Sequence, residues 1–351
     1  MPTVHIHLVP RSQCSPMCPP GTRKKQISSL SSCCYDCVPC SEGEVSNKSD
    51  SDNCIKCLDH EWPNENRTSC ITKTMDFLSY TDNGISLVSI TVSILLCLLT
   101  AVILGVFIVY EKTPIVRANN RNLSYFLLVS IMLSFLCVFF FLGRPVDITC
   151  WLRQVSFGIL FTFALSSLLA KTVMVFVAFK ASRPDSGWRQ LMGLKLSNYI
   201  VVICSSVQFL NCFVWLTMFP PYQELDTRSY QGKIIVQCNE GSAIAFYLVL
   251  GYMGILATAS FIIAFFTRTL PDSFNEAKYI TFSMLVFCSV WIAMIPAYLS
   301  TKGKYMVAVE IFAILTSNFG LLACIFFPKF YIIFWHPELN TKKHLLEDRH
   351  K

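Results

Sequence analysis

Beyond residue 84 the chain alternates long apolar runs with short polar breaks. Residues 85–110, 123–143, 150–179, 197–219, 241–267, 279–301 and 305–328 are charge-free or nearly so. Each exceeds the roughly 18 residues that a helix needs to cross hydrocarbon, and in lipid a helix satisfies all its own backbone groups. The pattern predicts an all-α membrane protein, a seven-transmembrane helix bundle. Before residue 84 it changes character. That stretch is polar and holds nine of the seventeen cysteines, predicting a small, disulfide-rich, mostly β extracellular module. The expected domains are a leader remnant (1–12), the cysteine-rich domain (13–70), a linker (71–83), the bundle (84–334) and a short tail (335–351).

Composition agrees: 53% of residues are hydrophobic and 15% charged, against about a quarter charged in a soluble domain. The net charge of +7 is read as topology rather than nucleic-acid binding, because no basic run with interleaved aromatics occurs. An oxidising compartment puts the head outside, and seven crossings then put the tail in the cytoplasm. The basic residues test this independently. Predicted inner loops and tail carry fourteen, among them Lys112, Arg117, Arg121, Arg189, Lys278 and Lys329. The outer loops between spans carry five: Arg144, Arg228, Lys233, Lys302 and Lys304. Residues 1–12 lack an apolar core and a small-residue cleavage site. The expectation is an N-terminally truncated form, or a first span that serves as the export signal.

Cys14, Cys18, Cys33, Cys34, Cys37, Cys40, Cys54, Cys57 and Cys70 fall in a stretch too poor in apolar residues to hold a core unaided, so cross-links must supply its stability. The Cys-x-x-Cys spacings would suit zinc in a cytosolic protein; the compartment decides for disulfides. Nine is odd, which leaves one cysteine to pair elsewhere or stay free. Cys150 and Cys238 both fall on the outer side and are expected to bridge across the bundle's mouth. Cys97, Cys137, Cys204, Cys212, Cys288 and Cys324 lie in spans and read as small packing residues. Sequons at Asn47 and Asn66 predict glycosylation, whereas the one at Asn122 falls on the cytoplasmic side.

Ionisable residues inside spans are costly unless paired or hydrated. Three qualify: Arg153, Lys171 and Glu310. Arg153 lies within a turn of the outer boundary, and snorkelling is the favoured reading. Lys171, near the inner end of span three, either snorkels or forms an ion pair that holds one helix arrangement. Glu276 begins span six on the same inner face and is its candidate partner. Glu310 either pairs with a basic residue or an amine ligand in a cavity open to the outside, or merely hydrogen-bonds to neighbours. Pro296 interrupts span six five residues after Trp291, predicting a kink with a bulky aromatic one turn away.

Several motifs occur in order: Cys33-Cys34-Tyr35-Asp36-Cys37-Val38-Pro39-Cys40, Thr113-Pro114-Ile115-Val116-Arg117-Ala118-Asn119-Asn120-Arg121, Phe274-Asn275-Glu276-Ala277-Lys278, Trp291 with Ile295-Pro296-Ala297-Tyr298, and Phe319-Gly320-Leu321-Leu322-Ala323-Cys324. Over residues 13–340 the chain resembles the class C G-protein-coupled receptors, the metabotropic glutamate and calcium-sensing family, and most closely the vomeronasal type-2 receptors. The resemblance implies disulfides Cys14 to Cys34, Cys18 to Cys37, Cys40 to Cys54 and Cys57 to Cys70. Cys33 would be left for a preceding flytrap domain, the orthosteric site, which this chain lacks. It further implies an ionic lock between Lys171 and Glu276, and a bundle pocket at Trp291 and Glu310 for small-molecule allosteric ligands. The G-protein-facing residues would be Arg117, Arg121, Arg189, Phe274, Asn275 and Lys278.

The implied function is a plasma-membrane, multi-pass chemosensory receptor of the vomeronasal type-2 kind. Its partners would be a heterotrimeric G protein and a second receptor subunit, as homo- or heterodimer. An amino-acid taste or calcium-sensing-like receptor is the alternative within the family. A multi-span transporter or channel is the alternative outside it, but internal repeats and several midplane charges are missing. An enzyme is not expected: all six histidines lie outside the spans, and no metal-ligand spacing or phosphate loop appears, so no metal or cofactor is assigned.

Overall fold

A computed structural model of the chain describes residues 14–27, 34–81, 84–181, 194–268 and 276–336. It forms two compact units, one built on the residues up to Asp76 together with Leu225–Ile235, the other on Phe77–Glu224 and the residues from Val236 onward.

The first unit is a string of short hairpins. β1 (Thr22–Gln26) pairs antiparallel with β2 (Tyr35–Pro39), β3 (Glu44–Val45) with β4 (Ile55–Lys56), and β5 (Glu61–Pro63) with β6 (Cys70–Thr72). Such small sheets bury little apolar surface. Cystine takes its place: Cys18, Cys34, Cys40 and Cys57 are buried, as are the few aliphatics Val45, Ile234 and Ile235. Bonds join Cys14–Cys34, Cys18–Cys37, Cys40–Cys54 and Cys57–Cys70. Loops of 13 to 20 residues place each bridge near about 3 kcal/mol of chain-entropy stabilisation. Cys33 lies outside the described residues. Residues 71–76, assigned to a linker from sequence, instead complete β6 and form β7 (Thr74–Asp76), which pairs in parallel with Lys233–Ile235. Pairing gives this short segment the backbone partners that a free linker would seek in water.

The second unit is helical. α1 (Gly84–Val109) is followed by the single turn α2 (Pro114–Ala118) and by α3 (Arg121–Cys137), whose end tightens into a 3-10 turn over Val138–Phe141. Next come α4 (Asp147–Ala181), α5 (Leu194–Met218), α6 (Ala243–Thr267), α7 (Glu276–Ser300) and α8 (Lys304–Trp335). Seven of these, all but α2, are long and apolar enough to cross a membrane. β8 (Tyr222–Asp226) and β9 (Lys233–Asn239) lie between α5 and α6. Cys238 on β9 is bonded to Cys150 in the first turn of α4, closing 88 residues of chain.

Lipid provides no hydrophobic drive between helices, so close packing and satisfied polar groups must hold them. Small residues admit large ones. Gly158 on α4 lets Gln208 and Val249 approach, and a Cβ at Gly320 on α8 would stand 2.8 Å from Val286 on α7. Serine and threonine hydroxyls turn back on carbonyls one turn earlier, as at Thr100, Ser260 and Ser317. Gly143, at φ +85°, makes the turn before α4 against the ring of Tyr80, where no side chain would fit. α8 runs seven residues beyond Pro328, where the sequence pattern ends span seven. The missing Pro328 N–H breaks one rung, and the apolar Phe330–Trp335 run continues the helix.

Candidate functional site

Two buried clusters of charge stand at opposite ends of the helical unit. α4 links them: Arg153 is near its disulfide-bonded end, and Lys171 is 18 residues further, about 27 Å along the axis.

At the far end, the Lys171 ammonium on α4 donates to Oε1 of Glu276, the first residue of α7, at 2.7 Å. The same oxygen accepts from Lys329 on α8 at 2.9 Å. Lys171 also donates to the carbonyl of Asn119, between α2 and α3, at 2.6 Å. All three charged side chains are buried, Lys171 and Lys329 at 2% and 1% exposed. Burying ions costs several kcal/mol each, so such a cluster holds only while its geometry is complete; taking away one partner typically costs about 3–5 kcal/mol. One carboxylate thus ties three helices and, through Asn119, the loop that precedes α3.

Lys329 is the member that sequence reading missed. Counted there as a loop or tail cation, it lies inside α8, and Glu276 and Lys329 join Arg153 and Lys171 as buried charges, with Glu310 partly buried beside Arg153. The signal was available. A lysine between Phe326-Phe327-Pro328 and Phe330-Tyr331-Ile332 is in an apolar run, not after one. Asn119, buried in the loop motif, was not singled out either.

At the disulfide end Arg153 corrects the snorkelling expectation. Its side chain is 5% exposed, its guanidinium is paired with Glu310 on α8, and it stands 4.5 Å over the ring of Phe141. A carboxylate within reach is a better partner than a distant water layer, and the aromatic face adds a cation–π contact. The Tyr298 hydroxyl faces Glu240.

Below this pair lies a cavity of about 500 Å³ between α4, α6, α7 and α8. Trp291 forms its floor with Phe157, Phe161 and Phe287, at centroid distances of 5.5, 5.7 and 6.0 Å. Trp291 Nε1 is buried with no hydrogen-bond partner. The helix passes through Pro296 unbroken. An apolar void with a few polar groups and a charged pair at one side suits a small organic ligand. Trp291 and Glu310 both line it.

Arg117, Arg121 and Lys278 are exposed near the Glu276 cluster's end of their helices, and Arg121 is paired with Glu111 at 3.1 Å. Arg189, Phe274 and Asn275 lie outside the described residues. Asn47 and Asn66 are exposed on the disulfide-rich unit.

The chain matches two family models: "7 transmembrane sweet-taste receptor of 3 GCPR" over residues 79–329, and "Nine Cysteines Domain of family 3 GPCR" over residues 9–63. It is 54% identical to vomeronasal type-2 receptor 26 of Mus musculus over 94% of this chain and 38% of that protein. Vomeronasal type-2 receptor 116 of Mus musculus is 47% identical over 95% of this chain and 39% of its own length. The extracellular calcium-sensing receptor of Homo sapiens is 48% identical over 95% of this chain and 31% of its length. The chain therefore spans about a third to two-fifths of these relatives.

Proposed function

This chain belongs to the family 3, or class C, G-protein-coupled receptors, a family of receptors rather than enzymes, and we propose that it is the membrane-spanning and cysteine-rich part of a vomeronasal type-2 chemosensory receptor. It relays a conformational change in an extracellular sensor to a heterotrimeric G protein. The disulfide-rich unit is extracellular, glycosylated at Asn47 and Asn66, and the end of the bundle carrying Glu276 faces the cytoplasm of a plasma-membrane protein. It has no enzymatic activity of its own. Arg117, Arg121 and Lys278, with Arg189, Phe274 and Asn275, form the G-protein-facing surface. A second receptor subunit completes the working assembly, and the Trp291 cavity takes small allosteric ligands beneath Glu310.

The observation that carries this reading is the shared carboxylate of Glu276. It holds the first residue of α7 to α4 and α8, and Lys171 carries the tie on to the Asn119 carbonyl, a contact that a helix swinging outward during signalling must release. A transporter would instead need its buried charges near the bilayer midplane, where alternating access exposes them in turn. Among the described residues they stand at the two ends.

The test is a chimera in which the calcium-sensing receptor's preceding extracellular segment is joined to this chain. Calcium should then raise nucleotide exchange on a co-purified G protein in nanodiscs. Calcium-driven solute flux without exchange would contradict the receptor reading.

A further inference from the structure

The Trp291 cavity does not end at the helices that enclose it. Its inner wall is Phe161 and Ile314, 2% and 1% exposed, yet the same void is bounded by Tyr247 at 66%, Ile292 at 69% and Leu299 at 75%. One continuous space therefore runs from the core of the bundle to its outer surface, and it leaves between α6 and α7. The gap has a structural cause. Gly254 on α6 lines the cavity and faces open space, with nothing within 4 Å of where its Cβ would stand. Gly251, one turn away, is equally open. Gly254 thus leaves a notch in the cavity wall that the aliphatic side chains of α7 do not fill.

Depth decides what can use the notch. Gly254 is eleven residues from the start of α6, about 16 Å along the helix and so near the middle of a hydrocarbon layer about 30 Å thick. Water-soluble molecules do not reach that depth from the side. Molecules dissolved in the membrane do. The chemistry of the lining narrows the class further. Arg153 is already neutralised by Glu310, so a charged group gains no partner, whereas the buried indole N–H of Trp291 lacks an acceptor. A buried donor left unmatched is destabilising, and an oxygen on the ligand would satisfy it.

We propose that the bundle cavity is loaded sideways from the bilayer, through the α6–α7 notch at Gly254, by a neutral lipid carrying one oxygen acceptor that meets Trp291 Nε1. A sterol and a long-chain alcohol share this chemistry. The proposal rests on the reading of the Trp291 cavity as a ligand pocket, and extends it to the route and the ligand class.

The test is photolabelling of the full chain in nanodiscs containing a diazirine-bearing sterol or a diazirine-bearing long-chain alcohol, with labelled positions mapped by mass spectrometry. In the unaltered chain, adducts should form on Phe157, Phe161 or Trp291 as well as on the lipid-facing side of α1. Gly254→Trp fills open space and should abolish the cavity adducts while leaving those on α1. Gly254→Ala should keep both, and an unchanged thermal unfolding transition in detergent reports that each variant is folded. Whichever probe gives the stronger cavity labelling identifies the source. Trp291→Phe should weaken cavity labelling by both probes but leave unchanged that of a diazirine-bearing alkane. Cavity adducts undiminished in Gly254→Trp would overturn sideways loading while sparing the pocket. Absence of cavity adducts in the unaltered chain would overturn the proposal altogether.

Discussion

Asp50 shows how one side chain can organise a module with almost no core. It accepts from the Cys18 N–H at 2.9 Å and from the Tyr35 hydroxyl at 3.1 Å, with the Lys24 ammonium 3.7 Å away. The Cys18 amide is the leading reason its carboxyl is held below the usual value of 3.8; partial burial opposes the shift, and Tyr35 and Lys24 assist it. A carboxyl depressed in the folded state contributes stability above its unfolded value and loses it as the pH falls through the folded one. Protection of the Cys18 amide from hydrogen exchange should thus hold down to about pH 4 and decline in stronger acid. In Asp50→Asn that acid-dependent decline should be absent. An unchanged acid profile in the variant would remove Asp50 from the account. The Arg153–Glu310 pair teaches a different lesson at the same scale. Both residues stand out in the sequence as intramembrane charges, but their partnership joins positions 157 residues apart, and only the fold brings them together.

Helix pairing rests on small residues whose role is equally invisible to hydropathy. α7 and α8 meet where Gly320 faces Val286. Gly320→Ala places a methyl 2.8 Å from the Val286 Cγ1, and overpacking of this kind costs about 1–3 kcal/mol. Thermal unfolding in detergent should register that loss, and the double variant Gly320→Ala/Val286→Ala should recover most of it. A loss that Val286→Ala fails to relieve would place the strain elsewhere. The existence of the seven spans was legible because crossing hydrocarbon demands long apolar runs. Their ends were less so. Lys329 was read as a loop or tail cation because the charge-free run ends at Pro328, whereas the helix continues through the proline and carries the buried lysine within it. The cysteine-rich stretch announced its cross-links by composition, but the strand at Thr74–Asp76 depends on a partner more than 150 residues away. No local pattern could indicate it.

At the scale of the whole molecule, α4 carries a charged partner for each end of the bundle: Arg153 above a ligand-sized cavity and Lys171 in the Glu276 cluster. α7 passes both sites, with Trp291 in the cavity and Glu276 at its first residue. On the proposed reading, a ligand that shifted α7 at Trp291 would act on the same helix that the far cluster restrains, and each site would bias the other's equilibrium. Lys171 was nominated from sequence as a charge in apolar surroundings, and Glu276 as its partner because it begins span six on the same inner face. The shared arrangement with Lys329 changes what their substitution should do. Removing Lys171 leaves Glu276 one cation; removing Glu276 releases α4, α8 and α7 together.

The most direct measurement is basal nucleotide exchange on a heterotrimeric G protein by this chain, Glu276→Ala, Lys171→Met and Lys329→Met, at matched amounts in nanodiscs. Glu276→Ala should show the highest basal exchange, with each lysine variant between it and the unaltered chain. Basal exchange in Glu276→Ala no higher than in the unaltered chain, with the variant folded, would contradict a restraint held by this carboxylate.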